Sequence, residues 1–262
     1  MTNSLEVQVA SYTGTTIWTG DDGTSFAAPA MAGLGALVKE TCGGTMNHNQ
    51  LRAILKSAAY NRNPNGWRYS TPAYPLDQKD GGGALLAGAA LAFCGIGSGG
   101  PTVFTGSSNI SVTKGSGLPK GSSPAAGSPP PGGAKSDDQL RIENYAAPGP
   151  GDGRIGGQLL SVQLSVGERF RVTFAWDACP VASMGAGPDK VATDIDIFLY
   201  NATTSSYLYG SQSVDDNTEG FDVTIPSGQG GVYTLYYGLV PGTGCNGVTS
   251  EPAAWAGLYG NF

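Results

Sequence analysis

The sequence predicts two unlike parts: a mixed α/β segment over residues 1–97 and an all-β antiparallel sandwich or jelly roll over residues 138–262. Three observations predict this. Helical spacing of apolar residues is confined to the first hundred positions, strict strand alternation dominates after residue 140, and a stretch rich in Gly, Pro and Ser separates them at 98–137. Composition agrees. Of 262 residues 42 are glycine and only 13% are charged, against usual shares of roughly 7% and 25%, which disfavours a charge-laced helical bundle.

In the first part Leu5, Val7 and Val9 alternate with polar positions and predict a half-buried strand. The run Phe26–Val38 is apolar on every side, so as a helix it is expected to be fully buried, with Pro29 tolerated in its first turn. A second helix is signalled by Asn47 or Asn49 as cap, followed by Leu51, Ile54, Leu55 and Ala58 at helical spacing. A third is expected over Ala84–Ala92.

The stretch 98–137 contains Ser128-Pro129-Pro130-Pro131-Gly132-Gly133 and buries too little apolar surface to offset its ordering entropy, so it reads as a linker. Within it, Ile110 and Val112 flank Ser111 and suggest one short strand. Beyond it, Phe170, Val172, Phe174 and Trp176 alternate with Arg169, Arg171, Thr173 and Ala175, and Ile195, Ile197 and Leu199 alternate with Asp194, Asp196, Phe198 and Tyr200. Phe221–Ile225 and Val232–Leu239 are further strands.

The net charge of −6 and the absence of any Lys/Arg run exclude an electrostatic footprint for nucleic acid or an anionic membrane. No stretch of 18 apolar residues is present to span a bilayer, and the first residues have neither the charged nor the apolar region of a signal peptide. Cys42, Cys94, Cys179 and Cys245 fall two on each side of the linker, without CxxC spacing and with one histidine, His48, in the whole chain. A Cys/His zinc site is therefore not expected. The two-and-two division favours disulfides Cys42–Cys94 and Cys179–Cys245 and an oxidising compartment, with four buried thiols as the alternative.

Chemistry concentrates at Ser25. It stands on a glycine turn directly before an apolar helix, where backbone N–H groups lack partners and carry partial positive charge. A serine there commonly caps the helix. It can equally present a hydroxyl to a carbonyl while N–H groups stabilise an oxyanion. The segment Gly23-Thr24-Ser25-Phe26-Ala27-Ala28-Pro29 resembles the nucleophile motif of subtilisin-like serine proteases. Asn49–Ala59 and Gly82–Ala90 look like that family's following helices, so the resemblance covers roughly residues 5–95. It implies that residues 1–97 are the C-terminal part of a subtilisin-like catalytic domain, an α/β remnant, and that Ser25 is the catalytic nucleophile. It also implies a secreted endopeptidase acting on a protein or peptide substrate with no cofactor needed for chemistry.

The departures shape the expectation. In the family's order the Asp and the His precede the Ser, yet only 24 residues precede Ser25 and none is histidine. A helix over 26–38 is about 20 Å long at 1.5 Å per residue, and His48 follows its far end, so it reads as a residue of the capping region and not as the base. The chain is thus expected to lack the N-terminal half of the catalytic domain and to be inactive alone.

The strand ending Trp176-Asp177-Ala178-Cys179-Pro180, with Thr193-Asp194-Ile195-Asp196-Ile197 after it, resembles the β-sandwich appended to many secreted subtilisin-like proteases. Asp194 and Asp196, with Asp215, Asp216 and Glu219 near a turn, are candidate ligands for a structural calcium ion. The alternative is that they solvate an outward face and a turn. A second functional class also stays open: a non-catalytic remnant whose sandwich is a binding or structural module.

Overall fold

The computed structural model describes residues 7–10, 17–21, 24–60, 84–97, 100–121, 154–178, 193–211, 217–239 and 247–261. They form a mostly antiparallel β structure with few helices. The chain opens with a hairpin of β1 (Val7–Ala10) and β2 (Ile17–Asp21), which carries the predicted strand at Val7 and Val9. Next come α1 (Thr24–Thr41), α2 (His48–Ser57), β3 (Ala59–Tyr60), β4 (Ala84–Leu85) and α3 (Ala87–Ala92).

Two larger sheets follow. Strands β5 (Thr102–Ser111), β8 (Arg169–Trp176), β11 (Thr218–Thr224) and β13 (Ser250–Gly260) make a four-stranded sheet in the order β11-β8-β13-β5. Strands β6 (Ser116–Gly117), β7 (Ile155–Leu164), β9 (Ile195–Asn201), β10 (Ser206–Ser211) and β12 (Gly231–Leu239) make a five-stranded sheet in the order β10-β9-β12-β7-β6. One buried cluster draws on both: Phe170, Val172, Phe174 and Phe221 from the first, Ile195, Ile197, Leu199, Tyr233 and Leu235 from the second. The predicted alternation places these side chains, because every second residue of a strand shares a face. Trp176 is fully buried among them, and its indole N–H donates to the carbonyl of Thr193 at 2.9 Å.

The outward face of the five-stranded sheet is aromatic. Phe198, Tyr200 and Tyr207 cluster there, and residues 118–121 lie over them. Tyr207 donates its hydroxyl to the carbonyl of Pro119 at 2.7 Å. Leu118 comes closest where Gly156 and Gly238 have no side chain.

Four expectations are corrected. Part of the predicted linker is structured: residues 102–111 form a ten-residue strand paired along its length with β13, not the short strand expected at 110–112. Its Thr, Ser and Gly residues hide the pattern, because only Phe104 and Ile110 of the even positions are large and apolar. Gly106 is required there, since a Cβ would come within 2.3 Å of the Trp255 ring. The third helix is shorter than expected, because Ala84–Leu85 pair with Ala59–Tyr60 instead.

The helix expected to be fully buried is not. Ala28, Pro29, Ala30, Ala32, Gly33, Ala36 and Leu37 are exposed, and Leu37 keeps 50% of its surface. Among the described residues α2 and α3 cover only a stripe of α1, which includes Gly35 and Val38. Finally, α1 begins at Thr24, so Pro29 falls in its second turn. Its missing N–H removes the bond that would otherwise reach the carbonyl of Ser25.

Candidate active site

The serine motif builds the start of α1. Ala-rich sequence without a β-branched residue from Phe26 to Leu37 favours helix, and Ser25 is the second helical residue. Its N–H is among the first four, which have no intrahelical partner and stand at the positive end of the helix dipole. At the other end Gly43 and Gly44 adopt positive φ. Their N–H groups return to Glu40 and Lys39 at 3.1 and 2.8 Å, a Schellman closure that satisfies the last carbonyls. Cys42, at this end, is disulfide-bonded to Cys94 just beyond α3, the pairing favoured by the cysteine division. Cys179 and Cys245 lie outside the described residues.

Asn47, one of the two expected caps, is the N-cap of α2. Its side chain accepts from the Gln50 N–H at 2.8 Å, while the Gln50 side chain accepts from the Asn47 N–H at 2.9 Å. Leu51 and Leu55 then pack on Gly35 of α1, at 3.5 and 3.8 Å from where its Cβ would stand. Gly35 is ten residues, or about 15 Å, along the helix from Ser25.

His48 faces the sheet. Its Nε2 is 2.5 Å from Oδ1 of Asp177, at the end of β8, with the histidine side chain 66% exposed and the aspartate 39%. It shares that oxygen with Asn49, whose Nδ2 donates to it at 2.9 Å and to the Pro252 carbonyl at 3.1 Å. The one histidine therefore joins α2 to the four-stranded sheet. Arg52 donates to Oδ1 of Asn217 at 2.7 Å and Ser57 to the carbonyl of Ala256 at 2.7 Å, so α2 is seated along its length. Arg171 reaches the other end of the helix, donating through Nη1 to the carbonyl of Ala59 at 2.6 Å, while Asp222 accepts from both Arg171 and Arg169.

The sequence reading missed this junction. Its available signal was Arg169 and Arg171 on alternate positions of a strand, in a chain with very few charges.

The carboxylates considered for calcium do not assemble among the described residues, where no group of three His, Cys, Asp or Glu is placed to hold a metal. Asp196 is buried and accepts from Arg154 at 2.9 Å, with the Arg154 guanidinium over the Phe198 ring. The outward, solvated face expected for it is corrected by that pairing. Glu219 is also buried and accepts from the Ser211 hydroxyl. Asp215 and Asp216 lie outside the described residues.

Residues 3–73 match the model of the subtilase family. The matched residues hold Gly23–Pro29, α1 and α2. No curated protein matches the chain. Among solved structures, the serine protease of Aeromonas sobria is 11% identical, over 94% of this chain and 45% of that one, with a TM-score of 0.23. The chain thus spans less than half the length of that protease, and the likeness is too loose to transfer a fold or a mechanism. Among the described residues no helix is long and apolar enough to cross a membrane.

Proposed function

We propose that this chain is the C-terminal portion of a secreted, subtilisin-like serine endopeptidase, with Ser25 as its nucleophile and a β-sandwich attached. The observation that carries the reading is the motif Gly23–Pro29 inside the family match, with Ser25 on the second residue of an 18-residue helix. Ser25 Oγ would attack a peptide carbonyl of a protein substrate, the amine would leave with a proton from the general acid, and water would release the acyl group. The base and its orienting carboxylate belong, in this reading, to a preceding half of the catalytic domain, and the chain alone is inactive. The disulfide Cys42–Cys94 supports an extracellular setting.

A fluorophosphonate probe tests this. It should leave Ser25 unlabelled in this chain and label it in a chain extended upstream through a histidine and an aspartate of the family's order. No labelling of the extended chain would sink the protease reading. Labelling of Ser25 in the chain alone, abolished by His48→Ala, would sink the claim of an incomplete triad.

The second reading is a non-catalytic module in which the sheets bind or stabilise. What supports it is the extent of the buried cluster that the two larger sheets share, which stands without Ser25. Under either reading a structural calcium ion held by Asp194 with Asp215 and Asp216 stands as a proposal, tested by whether chelator lowers the melting temperature.

A further inference from the structure

Two Asn-X-Ser/Thr triplets occur in the chain: Asn109-Ile110-Ser111, the last residues of β5, and Asn201-Ala202-Thr203, which begins on the last residue of β9. Such a triplet is the acceptor for an oligosaccharide on the asparagine amide. The product is bulky and strongly hydrated, so a folded protein tolerates it only where the asparagine reaches water.

The structure separates the two triplets. Asn201 is 0% exposed. Its Nδ2 donates to the Gln229 carbonyl at 2.9 Å, and its Oδ1 accepts from the N–H groups of Thr203 and Thr204 at 2.9 and 3.2 Å. The Thr203 hydroxyl accepts from the Val232 N–H at 3.1 Å. Both polar members of that triplet hold the turn after β9, so their use is structural.

Asn109 is exposed, and among the described residues no hydrogen bond holds its side chain. Paired with Pro252, it lies on the sheet face against which α2 is seated. A cavity of about 210 Å³ over this face is lined by Asn47, Ser107, Ser108, Asn109, Pro252 and Ala253. Its amide and hydroxyl groups suit the hydroxyl and acetamido groups of a first sugar. The disulfide Cys42–Cys94 points to an oxidising compartment, the setting of secreted proteins that carry such glycans.

We propose that Asn109 is an N-glycosylation site and that Asn201 is not. The oligosaccharide comes from a polyprenyl-diphosphate donor. A bond forms between Nδ2 of Asn109 and C1 of the sugar as the C1–oxygen bond to the diphosphate breaks. The diphosphate leaves, and the amide gives up one proton. The glycan then stands at the corner between the start of α2 and the β5–β13 pair, and the main-chain pairing of β5 is untouched. The inference rests on the secreted character in the reading above and needs nothing from the chemistry of Ser25.

The test is a peptide map of the chain recovered from its source organism, with medium and cells treated separately. Digestion with peptide-N-glycosidase in heavy-oxygen water converts a glycosylated asparagine to an aspartate carrying one heavy oxygen. In the chain from the medium Asn109 should carry that label in most molecules and Asn201 in none. The intact mass should fall on digestion, and Asn109→Gln should abolish the fall. The melting temperature of Asn109→Gln should match that of the deglycosylated parent, showing that the fold is unchanged. An unlabelled Asn109 in the chain from the medium overturns the site and leaves secretion standing. A label at Asn201 overturns the assignment by burial. A chain found only inside the cells overturns the secreted reading, and the site with it.

Discussion

The guanidinium of Arg171, on the four-stranded sheet, grips the chain just past the end of α2 through the carbonyl of Ala59, 2.6 Å from Nη1. The last carbonyls of a helix lack intrahelical donors, and a cation there also complements the dipole. Asp222, only 2% exposed, holds Arg171 and Arg169 together. Asp222→Asn should therefore be the most damaging change of the three, leaving two guanidinium groups around a neutral amide, at a cost of about 3–5 kcal/mol. Arg171→Met, which leaves Asp222 its second arginine, should cost about 1–3 kcal/mol, and Arg169→Met less. Urea unfolding of the three variants gives the ranking. An Asp222→Asn protein as stable as the parent would show that the cluster is not stabilising.

Asn49 and His48 bond the same oxygen of Asp177 from different depths. Asn49 is buried, and its amide also serves Pro252, so Asn49→Ala should cost about 1–3 kcal/mol. His48 is largely exposed, and His48→Ala should cost no more than about 1 kcal/mol. Equal losses in chemical denaturation would contradict this ordering.

Two glycines should respond oppositely to alanine. At Gly257 a Cβ would stand 2.3 Å from the Arg171 carbonyl oxygen and 2.3 Å from the Phe104 ring, so Gly257→Ala should destabilise by about 1–3 kcal/mol or more. At Gly33 nothing lies within 4 Å and the residue is helical, so Gly33→Ala should stabilise by up to about 1 kcal/mol. Thermal melts of both variants check the signs.

Burial raises the phenol pKa of Tyr233, Tyr236 and Tyr237 above 10.0, and Tyr200 adds to the rise at Tyr236. The folded state holds these protons more tightly than the unfolded chain does. Their stabilising contribution is therefore complete below pH 10.0 and is lost as pH rises through the raised folded values. Melting temperatures taken across pH 9–12 should fall beyond about 10, and Tyr237→Phe should flatten that fall. A flat profile in the parent would contradict it.

The strands with large apolar alternation were legible: Phe170–Trp176 and Ile195–Leu199 lie where their period of two places them. β5 was hidden because small polar residues give period two nothing to display, and its partner β13 lies about 140 residues later in the chain. Asp196 alternates like an outward carboxylate, and its burial follows from Arg154, a partner no local window contains. For α1 the pattern told correctly which residues are apolar but not what covers them. At the site, the helix carrying Ser25 was visible from its motif, whereas Asp177, Asn217 and Arg171 meet α2 only through the three-dimensional pairing.

The pairing of β5 with β13 binds together residues on opposite sides of positions 122–153. A piece ending at Gly121 carries α2, β5 and β6, and a piece starting at Arg154 carries the remaining strands of both sheets. Neither piece holds either of the two larger sheets whole, since β13 pairs with β5 and β7 with β6. A protease cut between them would leave a nicked particle that travels as one species. The two pieces made separately would be natural halves for fragment complementation, each supplying the edge that the other lacks.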